Sequence, residues 1–153
     1  MQTAFQEYRG QDAAEELDRR RCGYWDSRSS MHDALPVLDI VAEEMAAAGY
    51  PEADRSGLWL ALGEAIVNAI RHGNRGDPSR RVHVRFEVGP DQVLAEVEDE
   101  GEGFDLARVP DPLAPKNLER PSGRGLLLMR RYTTWLRYNR LGNCVTLCRE
   151  RSV

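Results

Sequence analysis

The feature that most constrains the fold is a pair of alternating segments in the middle of the chain. In residues 81–88 (RVHVRFEV) every second residue is apolar, and residues 92–99 (QVLAEVED) continue this pattern after Gly89-Pro90-Asp91. Period-two alternation predicts strands with one covered and one polar face, and a short link containing Gly and Pro predicts a hairpin. The chain is therefore expected to contain an antiparallel sheet covered on one face.

Further elements are predicted on both sides of this hairpin from apolar periodicity and capping residues. They are an edge strand over 21–28, a helix capped by Ser29 or Ser30 that starts near Ala34 or Leu35 and ends at Gly49, a helix from Asp54 or Ser56 to Gly73, a helix entered at 122–126, and a second hairpin joining 133–140 to 143–150. No strand–helix–strand unit repeats, which disfavours a doubly wound parallel sheet. We expect an α+β fold, a two-layer sandwich in which a mixed, mostly antiparallel sheet carries helices on one face.

The chain has 153 residues, which suits one domain. Residues 1–18 are polar and are expected to form an N-terminal arm, and residues 19–153 are expected to form the domain. The net charge of −4 argues against direct nucleic-acid binding. Three cysteines without a CxxC pair fit a reducing cytoplasm. We expect no signal peptide and no membrane-spanning helix.

Lysine is almost absent from this chain. The 21 basic residues include a single lysine, Lys116. A GxxxxGK[ST] phosphate loop and a VAIK-type kinase strand both need a lysine in a specific context, and Lys116 stands in neither. A phosphate-handling site in this chain must therefore work without the usual lysine.

The first of three candidate motifs is Glu64 and Asn68 within the second long helix. Their i, i+4 spacing places both on one helix face. An Asn oxygen is a suitable Mg²⁺ ligand, and a carboxylate one turn earlier can accept a proton from a hydroxyl group. Alternatively, Glu64 and Asn68 are ordinary helix residues with no chemical role.

The other two motifs are glycine-rich. Asp99-Glu-Gly101-Glu-Gly103 follows a strand, where a buried Asp can accept a hydrogen bond from an exocyclic amine and glycines allow close backbone approach. Ser122-Gly123-Arg124-Gly125-Leu126 enters a helix, and helix N-termini favour anions. Taken alone, the motif at 99–103 can also be interpreted as an acidic turn, although its spacing does not match an EF-hand loop. The motif at 122–126, taken alone, can also be interpreted as a tight turn.

Together, in this order and on these elements, the three motifs resemble the N, G1 and G2 boxes of the Bergerat-fold (histidine kinase-like) ATPases. The string ALGEAIVNAIRHGN, residues 61–74, is most similar to the anti-sigma factor serine/threonine kinases. The resemblance covers roughly residues 20–150, so only the N-terminal arm lies outside it.

The resemblance implies a role for each matching residue. Glu64 would be the general base, Asn68 would bind Mg²⁺, and Asp99 would recognise adenine. Gly101 and Gly103 would shape the adenine pocket, and the phosphates would be held by Gly123, Arg124, Gly125 and Leu126. Residues 106–122 would form an ATP lid, and this lid would be stiffened by Pro110, Pro112, Pro115 and Pro121.

Some nearby residues keep two interpretations. Arg71, His72 and Asn74 either line the phosphate end of the site or are ordinary polar surface. Thr146 either supports Asp99 through a water molecule or is an ordinary strand threonine.

The resemblance implies a cytoplasmic protein kinase that uses ATP and Mg²⁺. It would bind a sigma factor or a STAS-domain antagonist (an anti-anti-sigma protein), phosphorylate the antagonist on Ser or Thr, and form a homodimer. One alternative is an ATP-binding interaction module without phosphotransfer. Another, a histidine-kinase catalytic domain, would need a phosphoacceptor His on a dimerising helix, and His32, His72 and His83 are not so placed.

Overall fold

The computed structural model describes residues 20–104 and 124–153. Five strands form one sheet in the order β1-β2-β3-β5-β4: β1 Arg21–Arg28, β2 Arg81–Val88, β3 Gln92–Asp99, β4 Trp135–Tyr138 and β5 Cys144–Glu150. Every pairing among these strands is antiparallel. The described helices are α1 Met31–Ala34, α2 Pro36–Ala47, α3 Glu52–Asn68 and α4 Arg124–Tyr132, and a π-helical turn, Ala69–Gly73, follows α3. The predicted α+β fold class is confirmed, with β1 as the edge strand.

The alternating hairpin forms the centre of the sheet with the predicted strand bounds. Its apolar residues face the helices and are buried: Val82, Val84, Phe86, Val88, Val93, Ala95 and Val97. They pack against buried residues of α2 and α3, among them Leu38, Met45, Leu58, Leu62 and Ile66. Burying apolar side chains of this size contributes about 1.5–3 kcal/mol each, so this single core holds the two layers together.

A short helix, α1, precedes the first predicted helix. Ser30 caps α1, since its Oγ accepts a hydrogen bond from the Asp33 backbone N–H at 3.2 Å. Pro36 then begins α2, where its missing N–H and fixed φ are tolerated. The predicted start near Leu35 is therefore right for α2, while the short turn before it was not predicted.

The second long helix begins at Glu52, before the predicted cap at Asp54 or Ser56. The Asp54 carboxylate is fully buried and accepts hydrogen bonds from the Arg149 guanidinium and from the backbone N–H and hydroxyl of Ser152. Asp54 therefore ties the start of α3 to the end of the chain instead of capping the helix.

The predicted arm (1–18), the lid (106–122) with Lys116, and Gly123 lie outside the described residues. Among the helices that the structure describes, none combines the length and apolar character needed to cross a membrane.

Candidate functional site

A cavity of about 320 Å³ lies at the C-terminal end of α3. Its walls come from α3 and the π-helical turn, from β3 and the loop after it, from the start of α4, and from the β4–β5 hairpin. The residues that line it are Ala65, Asn68, Ala69, His72, Gly73, Val97, Asp99, Gly103, Phe104, Gly125, Leu126, Tyr138, Gly142, Asn143, Cys144 and Val145. Parts of all three predicted motifs therefore meet in one cavity.

Asp99 lies at one end of this cavity, as the last residue of β3, and is 8% exposed. Burial raises the pKa of its carboxyl group, and a hydrogen bond from the Gly101 backbone N–H to Oδ1, at 2.8 Å, opposes this rise. A second acceptor position on the carboxylate can receive an N–H group of a ligand.

The glycines after Asp99 are required by the protein's own packing. A Cβ on Gly101 would lie 2.1 Å from the Gly73 carbonyl oxygen. Gly103 has a φ of +78°, and a Cβ there would lie 1.8 Å from the Leu141 carbonyl oxygen. Only glycine allows these approaches, which bring the loop after β3 against the π-helical turn on one side and the β4–β5 turn on the other.

Asn68 and the start of α4 form the opposite end of the cavity. Glu64, one turn before Asn68, is not among the lining residues, but its carboxylate lies beside the helix start: a Cβ on Gly125 would lie 2.6 Å from Glu64 Oε2. The first backbone N–H groups of a helix have no partner within the helix, so Gly125 and Leu126 present donors suited to an anion.

The remaining predicted residues divide into two groups. His72 lines the cavity. Arg71 and Arg124 are exposed and lie outside the cavity lining, so their contact with phosphates stays a prediction. Asn74 is fully buried and does not line the cavity, so it is neither an ordinary surface residue nor part of the cavity wall.

Thr146 lies on the wrong side of the sheet to support Asp99. In the β3–β5 register it stands opposite Glu96, and directly paired residues share a face. Asp99 points to the other face, with Val97, because side chains two apart on a strand share a face. Thr146 is therefore an ordinary buried strand residue.

The β4–β5 hairpin contributes cavity residues that the sequence analysis missed. The Asn143 carbonyl oxygen accepts the Asp99 backbone N–H at 2.9 Å, and Asn143 Nδ2 donates to the Asp99 carbonyl oxygen at 3.0 Å. Tyr138 packs edge-to-face on Phe104, with ring centroids 5.0 Å apart. The Leu141-Gly142 turn was visible in the sequence, but nothing local indicates that it folds against Asp99.

Another group of possible metal ligands is formed by Glu96, Glu98 and Cys144, of which Cys144 alone lines the cavity. Arg85 Nη1 is 2.5 Å from Glu96 and 3.2 Å from Glu98, so one guanidinium already pairs with both carboxylates. Asn68 in the cavity is the better candidate for a cation beside phosphates, because its amide oxygen is a hard, neutral ligand.

Comparison with known proteins agrees with this geometry. Residues 29–149 match the family described as histidine kinase-like ATPase domain. The chain is 34% identical over 99 residues to the serine-protein kinase RsbW of Bacillus licheniformis, covering 61% of this chain and 60% of that protein. It is 36% identical over 106 residues to the anti-sigma F factor of Clostridium perfringens strain SM101, covering 67% and 68% of the two chains.

A solved structure of the RsbU and RsbW domains of Rv1364c from Mycobacterium tuberculosis superposes with a TM-score of 0.58. It is 18% identical and covers 86% of this chain and 32% of that one, so it supports the fold alone. The chain spans less than two thirds of the RsbW proteins of B. licheniformis and Bacillus subtilis. The family match extends over most of the sequence, from the start of the helical layer to β5, and the chain therefore belongs to the histidine kinase-like ATPase domain family.

Proposed function

We propose that this protein is an ATP-dependent serine/threonine protein kinase that acts as an anti-sigma factor in a partner-switching system. The observation that carries the proposal is the convergence of Asp99, Asn68 and the start of α4 on one cavity, with the Glu64 carboxylate beside it. The names of the related proteins, a serine-protein kinase and an anti-sigma F factor, support the same function.

The proposed orientation of ATP follows from the chemistry of the residues that line the cavity. The Asp99 carboxylate accepts a hydrogen bond from the adenine amine, and the phosphates extend towards the backbone N–H groups of Gly125 and Leu126. Asn68 would hold Mg²⁺ through its amide oxygen, and the bound ion would neutralise charge that develops on the phosphates. Gly123, Arg124 and the lid 106–122 belong to the same proposal.

Glu64 is proposed as the general base. Its carboxylate lies one helical turn from Asn68, at the phosphate end of the cavity, where it can accept the proton of a partner's Ser or Thr hydroxyl. The hydroxyl oxygen then bonds to the γ-phosphorus, the bond to the bridging oxygen breaks, and ADP leaves. Positioning and electrostatic stabilisation account for most of the rate, since the protein forms no covalent bond to the phosphoryl group.

The proposed partners are a sigma factor and a STAS-domain antagonist. Competition between the two partners requires only that each partner binds one state of this protein more tightly than the other state. Phosphorylation would release the antagonist and leave the anti-sigma surface free for the sigma factor. A homodimer is part of the same proposal.

The test is a phosphotransfer assay with Mg²⁺, radiolabelled ATP and STAS proteins from the same genome. Glu64→Gln should bind ATP and the partner as wild type does but lose label transfer, by a factor of about 10² or more. Glu52→Gln, the same substitution at an exposed position on the same helix, should transfer label normally. If ATP and the partner bind but wild type never transfers label, the protein is an ATP-binding interaction module instead.

A further inference from the structure

Asn74 lies at the junction of four segments of the site. It follows the π-helical turn and is fully buried. Its Nδ2 donates to the Arg81 carbonyl oxygen at 2.8 Å and to Ser29 Oγ at 3.2 Å, and its Oδ1 accepts the Glu100 backbone N–H at 2.9 Å. Both of its amide hydrogens and one oxygen acceptor position are therefore used within the protein.

The bond to Glu100 is the one that bears on the nucleotide site. Glu100 stands between Asp99 and Gly101, whose N–H donates to the Asp99 carboxylate. The Asp99 carboxylate also lies directly against Gly73, where an added Cβ would come within 2.2 Å of it. Residues 73–74 and 99–101 therefore pack as one unit, and the only side-chain hydrogen bond described between the two segments comes from Asn74.

This unit connects the two ends of the cavity. The π-helical turn continues directly from Asn68 at the phosphate end, and Asn74 ends that turn with its backbone N–H bonded to the Ala69 carbonyl oxygen at 2.7 Å. Asn143 holds the Asp99 backbone to the β4–β5 hairpin, and the bond from Glu100 to Asn74 holds the same loop to the turn that follows Asn68.

We infer that Asn74 is a positioning residue that fixes Asp99 for recognition of the adenine amine while touching no part of the nucleotide. This inference rests on the proposed function, because it takes adenine to lie at Asp99. The alternative is that Asn74 has a purely structural role and stabilises the fold as a whole, in which case its loss would weaken the binding of every nucleotide equally.

The experiment compares ATP with inosine triphosphate (ITP), which carries a carbonyl oxygen in place of the exocyclic amine. At the position of the exocyclic amine only ATP offers Asp99 a donor, so wild type should bind ATP about tenfold or more tightly than ITP. Asn74→Ala should lower ATP affinity about tenfold and ITP affinity much less, so that the ratio of the two dissociation constants approaches one. Should Asn74→Ala not fold, Asn74→Leu replaces it, since Leu has a shape close to that of Asn and no hydrogen-bonding atoms.

Ser29→Ala is the matched control. It removes one hydrogen-bond partner of Asn74 and leaves the bond to Glu100, so the ATP/ITP ratio should stay near the wild-type value. A folded Asn74 variant that retains the wild-type ratio overturns the inference, and so does a Ser29→Ala variant that loses it equally. If wild type itself does not distinguish ATP from ITP, the placement of adenine at Asp99 fails instead.

Discussion

At the scale of single residues, Asp99 is subject to two opposing requirements. Burial raises the pKa of its carboxyl group above the ordinary value of 3.8, and the neighbouring Glu98 carboxylate adds to this rise, while the Gly101 N–H and Arg80 oppose it. The proposed recognition of the adenine amine nevertheless uses the ionised form as acceptor. The site therefore maintains a charge that the empty fold would be more stable without.

This conflict predicts that Asp99→Asn stabilises the nucleotide-free protein at pH 7 while abolishing its preference for ATP. Because the folded pKa is raised, the stability that Asp99 contributes is present below its unfolded pKa and is lost as pH rises through the folded value. The advantage of the variant should therefore be largest at neutral pH and shrink on acidification to about pH 4. Urea unfolding at a series of pH values measures it, and an advantage that is constant with pH would contradict the electrostatic cause.

Gly125 determines where the Glu64 carboxylate can lie. A methyl group there would come within 2.6 Å of Glu64 Oε2, the far end of a flexible side chain, so the carboxylate would move and the helix would persist. Replacing a helical Gly by Ala favours the helix by about 0.5–1 kcal/mol. Gly125→Ala should therefore fold at least as well as wild type and transfer phosphate about 10- to 100-fold more slowly.

Gly63→Ala is the control for this prediction. Gly63 stands next to Glu64 on α3, but a Cβ there makes only an ordinary contact, 3.5 Å from a Leu38 methyl group. Transfer by Gly63→Ala should match wild type. An undiminished rate in Gly125→Ala would mean that the Glu64 carboxylate need not lie where the structure has it.

At the scale of elements, the loop after β3 depends on the β4–β5 turn. Gly103 and Gly76 both have positive φ, +78° and +70°, but a Cβ on Gly103 would lie 1.8 Å from the Leu141 carbonyl oxygen, while one on Gly76 would meet nothing within 4 Å. Gly76→Ala should lose only the backbone preference, about 1–2 kcal/mol. Gly103→Ala should lose more and also bind ATP more weakly, since Gly103, Phe104 and Gly142 all line the cavity.

Urea unfolding and ATP titration of both variants test this dependence. Weaker ATP binding in Gly103→Ala but not in Gly76→Ala is the expected result. Equal losses of stability in the two variants, with ATP affinity unchanged, would show that the contact between the loop and the turn has no role in the site.

Element types followed from the sequence because they depend on local patterns. Alternation predicted β2 and β3, and Gly49 and Gly73 marked the ends of the two long helical segments, whereas α3 begins at Glu52, before its predicted cap at Asp54 or Ser56. The π-helical turn after Asn68 was not predicted, because one shifted hydrogen bond leaves no trace in apolar periodicity. This turn ends in the buried Asn74, which the sequence analysis treated as a surface or phosphate-end residue.

At the scale of the whole molecule, the candidate site was partly predictable. The three motifs and their order predict that Asn68, Asp99 and Gly125 belong to one site, and all three line the cavity. The contributions of Tyr138 and Asn143 were not predictable, since Asn143 reaches Asp99 across 44 residues and through a turn with no distinctive local pattern. Long-range packing decides such contacts, whereas a motif shows only which residues near one another in the sequence could bind the ligand.

Nucleotide binding in the cavity and the hydrogen bonds of Asp54 to Arg149 and Ser152 should contribute independently to stability. In the proposed orientation ATP would contact α3, α4, β3 and the β4–β5 hairpin together, so its binding would stabilise the whole folded state; at one hundred times its Kd the gain is about 2.7 kcal/mol, roughly 8 °C in Tm. Asp54 instead joins the start of α3 to Arg149 and Ser152, outside the cavity lining. Asp54→Asn weakens this buried charged hydrogen-bond network and should lower the stability of the nucleotide-free protein by about 2 kcal/mol.

Thermal unfolding with and without ATP and Mg²⁺ separates the two effects. At one fixed ATP concentration, one hundred times the wild-type Kd, Asp54→Asn should melt several degrees below wild type and still show the full ATP-induced rise in Tm. At the wild-type ATP concentration, Asp99→Asn should melt at or above the nucleotide-free wild type and show little rise. A reduced ATP response in Asp54→Asn would mean that the hydrogen bonds of Asp54 to Arg149 and Ser152 also shape the cavity, through the helix that carries Glu64 and Asn68.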